Sequence, residues 1–205
     1  MAQFTILQLY VSKRTPNTTG MSTIVLHDIG DVVTLAIGEE KLSVVAARTV
    51  LTIFSPVFKA MLTGNFREAG VTTSEILLPD DDPGSFLFLL RIAHLKFKDL
   101  PDTLSFQDLY QLSVTCDKYD AVCHVRPFWD RYGAPFLNHV EEAGYEEWLH
   151  IAWTFGIEDV YIKVMNKLIF ETEIVGEHLS RAGRHLESIL PMCAAGESFR
   201  NRACL

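Results

Sequence analysis

The stretch RTVLTIFSPVFKAML, residues 48–62, constrains the fold more than any other part of the chain. Its apolar residues recur at helical spacing, yet Ser55-Pro56 stands in the middle. A proline inside a helix removes a backbone hydrogen bond and clashes with the preceding turn, at a cost of about 3 kcal/mol. The same proline is favoured at the first helical position, and serine is a good N-cap. The dipeptide therefore reads as a corner, where one short helix ends and another starts. Val50, Leu51 and Phe54 share a face of the first helix. Phe58, Met61 and Leu62 form the apolar face of the second, and Gly64 is placed to close it in the left-handed conformation.

Strands flank the corner. DVVTLAIG, residues 31–38, sets Val33, Leu35 and Ile37 on one face with the period of two expected of a strand. GEEK makes a turn, and LSVV, Leu42 to Val45, returns as the second arm of a hairpin. A short β-type run spans Thr23 to Leu26, and SEILLP, Ser74 to Pro79, adds another strand. Two capped helices follow. Asp82 with Pro83 starts one that turns Phe86, Leu89, Leu90 and Ala93 inward. Ser105 with Asp108 forms a capping box for the other, whose stripe is Leu109, Leu112, Cys116 and Tyr119.

From about residue 127 the pattern is helical only. PFWDRYGAPFLNHV is interrupted by Gly133 and Pro135. YEEWLHIAWTFG groups Trp148, Ala152 and Phe155 and ends at Gly156. EDVYIKVMNKLIF aligns Val160, Val164 and Leu168, and EHLSRAGRHLESIL is expected to form a further helix. The expected layout is an N-terminal segment 1–20 without fixed structure, an α+β domain over 21–125 and a helical extension over 126–205.

Charge and composition narrow the function. The net charge of −8 repels a phosphate backbone, and the short basic run Lys96-Phe97-Lys98 is cut short by Asp99. Direct nucleic-acid binding is not expected. No apolar run approaches the roughly 18 residues that cross a bilayer, so no membrane partner is expected. Four cysteines show no tight pairing pattern, which fits a reducing cytoplasmic or nuclear setting. The nucleophile elbow, the phosphate-cradling glycine loop and the H-E-x-x-H zinc motif are all missing. Cys116, Cys123 and His124 match no zinc spacing, and Glu141-Glu142 and Glu146-Glu147 read as a solvated helix face. The chain is expected to be no enzyme and to need no cofactor or metal.

The ordered pattern resembles the BTB (POZ) domain. It is carried by Asp31-Val32-Val33, Leu42, Val44, Arg48, Val50-Leu51, Ser55-Pro56-Val57-Phe58, Met61-Leu62, Glu68, Ile76 to Leu78, Asp80-Asp81, Phe86, Leu89-Leu90 and Lys118-Tyr119. The helical segment beyond it is similar to the tail of BTB proteins of filamentous fungi. One departure is Ala47, where the family often has histidine before the basic residue. The resemblance implies an α+β BTB/POZ fold, a small sheet with stacked helical hairpins, followed by an all-helical extension. It implies a protein-interaction module that homodimerises, with Asp31, Arg48, Val50, Leu51, Phe54 and Phe58 as candidates for the dimer interface. Asp31 and Arg48 would line a charged pocket near the dimer axis, or else form an ion pair within the chain. Phe66-Arg67-Glu68 resembles the motif by which BTB adaptors engage a cullin scaffold, which makes Phe66 and Glu68 the candidate contacts. A second reading is a transcriptional or chromatin-associated regulator that acts through partners. A third is an enzyme with a site in the helical tail. Phe128, Trp129, Trp148 and Trp153 would be either a recognition groove or packing.

Overall fold

The computed structural model describes residues 23–63, 75–175 and 178–186. Four strands, β1 (Ile24–Val25), β2 (Val32–Ile37), β3 (Leu42–Ala47) and β4 (Glu75–Leu78), form a mixed sheet in the order β1-β3-β2-β4. The β2–β3 hairpin is antiparallel, and each hairpin strand takes a parallel neighbour on its outer side. Registration aligns Ile24, Val44, Leu35 and Ile76 in one row across the sheet. Alternation then puts Val33, Leu35, Ile37, Val44, Ala46, Ile76 and Leu78 on the buried face.

Eight α-helices are described: α1 (Arg48–Phe54), α2 (Pro56–Thr63), α3 (Pro83–Ala93), α4 (Phe106–Lys118), α5 (Val122–Val125), α6 (Trp129–Tyr132), α7 (Trp148–Phe155) and α8 (Glu158–Glu171). The cap signals hold at atomic detail. The Asp82 side chain accepts from the Ser85 amide at 2.8 Å, and Ser105 and Asp108 form the reciprocal capping box. Gly156 ends α7 with a φ of 67°, the left-handed conformation that glycine adopts without steric penalty. Helix α3 is buried without interruption from Ser85 to Ile92. A helix covered on all sides sits at the centre of its domain.

The helical extension shares this core. Trp148, Leu149, Ile151, Ala152 and Phe155 of α7 join the residues that cover the sheet in one hydrophobic cluster. Phe106 of α4 meets Phe136, Tyr145 and Trp148, and Trp129 meets Trp148 and Phe155. The aromatic tail is therefore packing, with Trp148 and Trp153 buried and Phe128 and Trp129 half-buried.

Two expectations for the extension are corrected. The stretch expected to continue as a helix beyond α8 forms a small antiparallel sheet in the order β5-β6-β7, from β5 (Glu173–Val175), β6 (His178–Arg181) and β7 (Arg184–His185). Ala182 and Gly183 have φ of 49° and 81°, the backbone of a two-residue hairpin turn rather than of a helix. Glu146 and Glu147, expected on a solvated face, are buried. The reason for both is one ion cluster. Arg181 Nη1 donates to Glu146 at 3.1 Å and Arg184 Nη1 donates to its other oxygen at 2.9 Å. Arg184 also pairs with Glu147, and Arg181 with Glu171 at 2.7 Å. Buried carboxylates need such partners, and the hairpin brings both arginines to them.

Candidate protein-interaction site

The Ser55-Pro56 corner organises the helices beside the sheet. The Ser55 amide donates to the Leu51 carbonyl at 3.1 Å, closing α1. Its hydroxyl accepts from the Phe58 amide at 3.2 Å, capping α2, and donates to the Tyr119 carbonyl at 2.6 Å. One buried residue thus ends a helix through its backbone, starts the next through its hydroxyl and ties both to the C-terminal end of α4. The Tyr119 ring stacks on Phe58 with centroids 4.9 Å apart and meets Phe86 edge-on at 4.9 Å. Its hydroxyl donates to Asp81 at 2.8 Å, and Lys118 donates to the same carboxylate at 2.9 Å. Burial, with the Asp81 charge and hydrogen bond, pushes the Tyr119 phenol far above its ordinary range, so it keeps its proton and donates it to Asp81.

His124 has a structural task too. Its Nε2 donates to the Phe54 carbonyl at 2.8 Å, and its ring stacks on Phe54 at 4.2 Å. Burial pushes the Cys116 thiol far above its ordinary range, which disfavours the thiolate that would be needed as a nucleophile or ligand. Among the described residues no cluster of three potential metal ligands occurs. An open hollow of about 410 Å³ lies against α8, lined by Glu141, Lys163, Asn166, Lys167, Phe170 and Glu171. Lys167 above all, and Arg181, hold the Glu171 carboxyl below its ordinary range, so its charge is spent in ion pairs.

The interface candidates divide. Leu51, Phe54 and Phe58 are buried in the chain's own core, where Phe54 stacks on His124 and Phe58 meets Phe86 and Tyr119, so the side chains that α1 leaves exposed are others. Asp31, Arg48 and Val50 lie at the surface end of α1. Arg48 Nε meets Asp31 at 3.3 Å, with the two side chains 15% and 64% exposed. Of the two roles weighed for them, the ion pair within the chain is present. Its solvent-exposed carboxylate places it among the weaker pairs, worth about 0–1 kcal/mol. Phe66 and Glu68, like Gly64, lie outside the described residues, as does segment 1–20.

Ile53, on the outward side of α1, is not among the residues that the sequence pattern singled out. Ile53 is 80% exposed, one turn beyond exposed Thr49 and half-buried Val50. The signal was available: once Leu51 and Phe54 face inward, Thr49 and Ile53 must share the opposite side, with half-buried Val50 on the flank. On the outer sheet face Val25 and Leu77 are 55% and 60% exposed, on opposite edge strands and among Thr34, Ser43 and Glu75. Among the described residues, Ile53, Val25 and Leu77 are thus aliphatic side chains that the chain's own core leaves uncovered.

Residues 28–125 match the model of the BTB/POZ domain, and the chain accordingly carries a BTB/POZ fold followed by a helical region. Domains of this kind mediate protein–protein interaction and dimerisation. No curated protein matches the chain. No helix among the described residues is long and apolar enough to cross a membrane.

Proposed function

We propose that the chain is a homodimerising scaffold that uses the outward side of α1 for self-association and leaves other surface for a protein partner. The observation that carries this reading is Ile53, an isoleucine 80% exposed on a helix whose inward side is locked into the core. Hydrophobic contact would supply affinity and the Asp31–Arg48 charges would set register. The direct check is co-purification of two differently tagged copies of the full chain. Mutual capture supports the scaffold, and strictly separate elution of the tags contradicts it.

The finer reading is an adaptor for a cullin-type ubiquitin ligase, supported by Phe66-Arg67-Glu68 in the sequence. Phe66 would fill a partner pocket and Glu68 would orient it. A double substitution, Phe66→Ala with Glu68→Ala, should abolish capture of a cullin N-terminal domain at an unchanged melting temperature. Undiminished capture removes the adaptor role and leaves the scaffold in place. The net charge of −8 means that a role in transcription or chromatin, in the nucleus or from the cytoplasm, would run through a partner and not through DNA contact. The domain division at residue 125 and the fungal type of the extension belong to the same proposal.

A further inference from the structure

His94 is the C-cap residue of α3, and its ring reaches the junction where β3 runs into α1. The imidazole makes two hydrogen bonds, both to backbone. Nδ1 lies 2.9 Å from the Leu90 carbonyl oxygen. Nε2 lies 3.0 Å from the Ala47 amide nitrogen. A carbonyl can only accept and an amide N–H can only donate. Nδ1 must therefore carry the proton and Nε2 must offer its lone pair, so the two bonds together require one tautomer of the neutral ring. A second proton has one place to go, Nε2, where it would oppose the Ala47 N–H donor to donor.

Among the described residues, the charged and titratable groups that act on the ring are His27 and Lys96, and both oppose such a proton. His27 approaches from the segment between β1 and β2, with ring centroids 6.5 Å apart. Lys96 lies in the turn after α3 and acts in the same direction. Arg48, next to Ala47 on the facing junction, is held by Asp31 at 3.3 Å. Burial of the ring is the largest influence and lowers the His94 pKa from 6.5, the Leu90 bond opposes it, and His27 and Lys96 add to the lowering.

We propose that His94 is a proton-operated latch: uptake of a proton at Nε2 breaks the bond from the Ala47 amide and releases the β3–α1 junction. The sign follows from linkage. The folded ring binds its proton less readily than the unfolded chain, so the latch contributes stability above about pH 6.5 and loses it as pH falls through the lower folded value. Arg48 and the start of α1 hang on that junction, so acidification would also weaken self-association. Only this last consequence rests on the reading of α1 given above.

The test is NMR of the full-length, 15N-labelled chain between about pH 8 and about pH 5. The latch requires the Nδ1–H tautomer of His94 at the upper end, and an Ala47 amide resonance that moves with the same midpoint as the ring. An Nε2–H tautomer at the upper end, or an Ala47 amide indifferent to the His94 titration, overturns it. The variant His94→Gln keeps an acceptor and cannot titrate. Its melting temperature should fall less on acidification than that of the parent chain, and an identical fall counts against the latch. Should the variant not fold, the NMR of the parent chain decides alone. Sedimentation over the same range separates the two readings: a chain monomeric at every pH sinks the α1 interface but not the latch. A dimer unchanged while Ala47 titrates sinks only their connection.

Discussion

Ser55 donates its hydroxyl to the backbone carbonyl of Tyr119 across 2.6 Å, joining residues 64 positions apart. The bond explains why a Ser-Pro corner suits this place in the chain. Proline starts α2 without a wasted donor. The serine hydroxyl has capacity for both an incoming and an outgoing hydrogen bond, and both are used in the core.

Replacing Ser55 with alanine removes the α2 cap, worth about 1 kcal/mol, and leaves the Tyr119 carbonyl without this donor, worth about 1–2 kcal/mol more. The expected loss is about 2–3 kcal/mol in urea denaturation. A loss below about 0.5 kcal/mol, the range of ordinary surface changes, would mean that the corner is held by packing alone.

Tyr119→Phe keeps the stacked ring and removes only the donor to Asp81. Hydrogen bonds to charged groups contribute about 1.5–3 kcal/mol, and a loss of that size is expected. Because Lys118 and Tyr119 share one carboxylate, Asp81→Asn combined with Tyr119→Phe should cost clearly less than the two separate losses added together. Full additivity in that double-mutant cycle would show that the phenol and the carboxylate are not coupled.

The arginine clamp predicts a strong position in the hairpin. Arg181→Met leaves Glu146 buried with one guanidinium fewer, and disruption of a buried pair costs about 3–5 kcal/mol. Arg184 still reaches Glu146, so a loss near the lower end of that range is expected. Adding Glu146→Gln to Arg181→Met should restore part of it. Glu171 gives the cluster a pH dependence. Its folded carboxyl titrates below the unfolded value of 4.5, so its contribution is present above about pH 4.5 and is lost as pH falls through the folded value. Arg181→Met should flatten that acid limb of the stability curve.

Local chemistry made much of the fold readable. Strand period placed Val33, Leu35 and Ile37 on the buried face, and the caps at Ser55, Asp82 and Ser105 act as their sequence contexts imply. Each of those signals lies within a few residues of its effect. What the sequence hid was set by distant partners. Arg181 and Arg184 lie 35 to 38 positions from Glu146, and that attraction turns a stretch with helical spacing into a hairpin. His94 is 47 positions from the Ala47 amide that fixes its tautomer. At α1 the apolar pattern located the helix and its inward residues Leu51 and Phe54, but left Ile53, exposed on the other side, unplaced.

Sedimentation velocity of the full chain at micromolar concentration, beside its Ile53→Asp variant, tests the docking-face account most directly. Ile53 is exposed, so the substitution should change stability by no more than about 0.5 kcal/mol. The account predicts a dimer for the parent chain and a folded monomer for the variant. A parent chain that is monomeric throughout, or a variant that sediments as the same dimer, would contradict it.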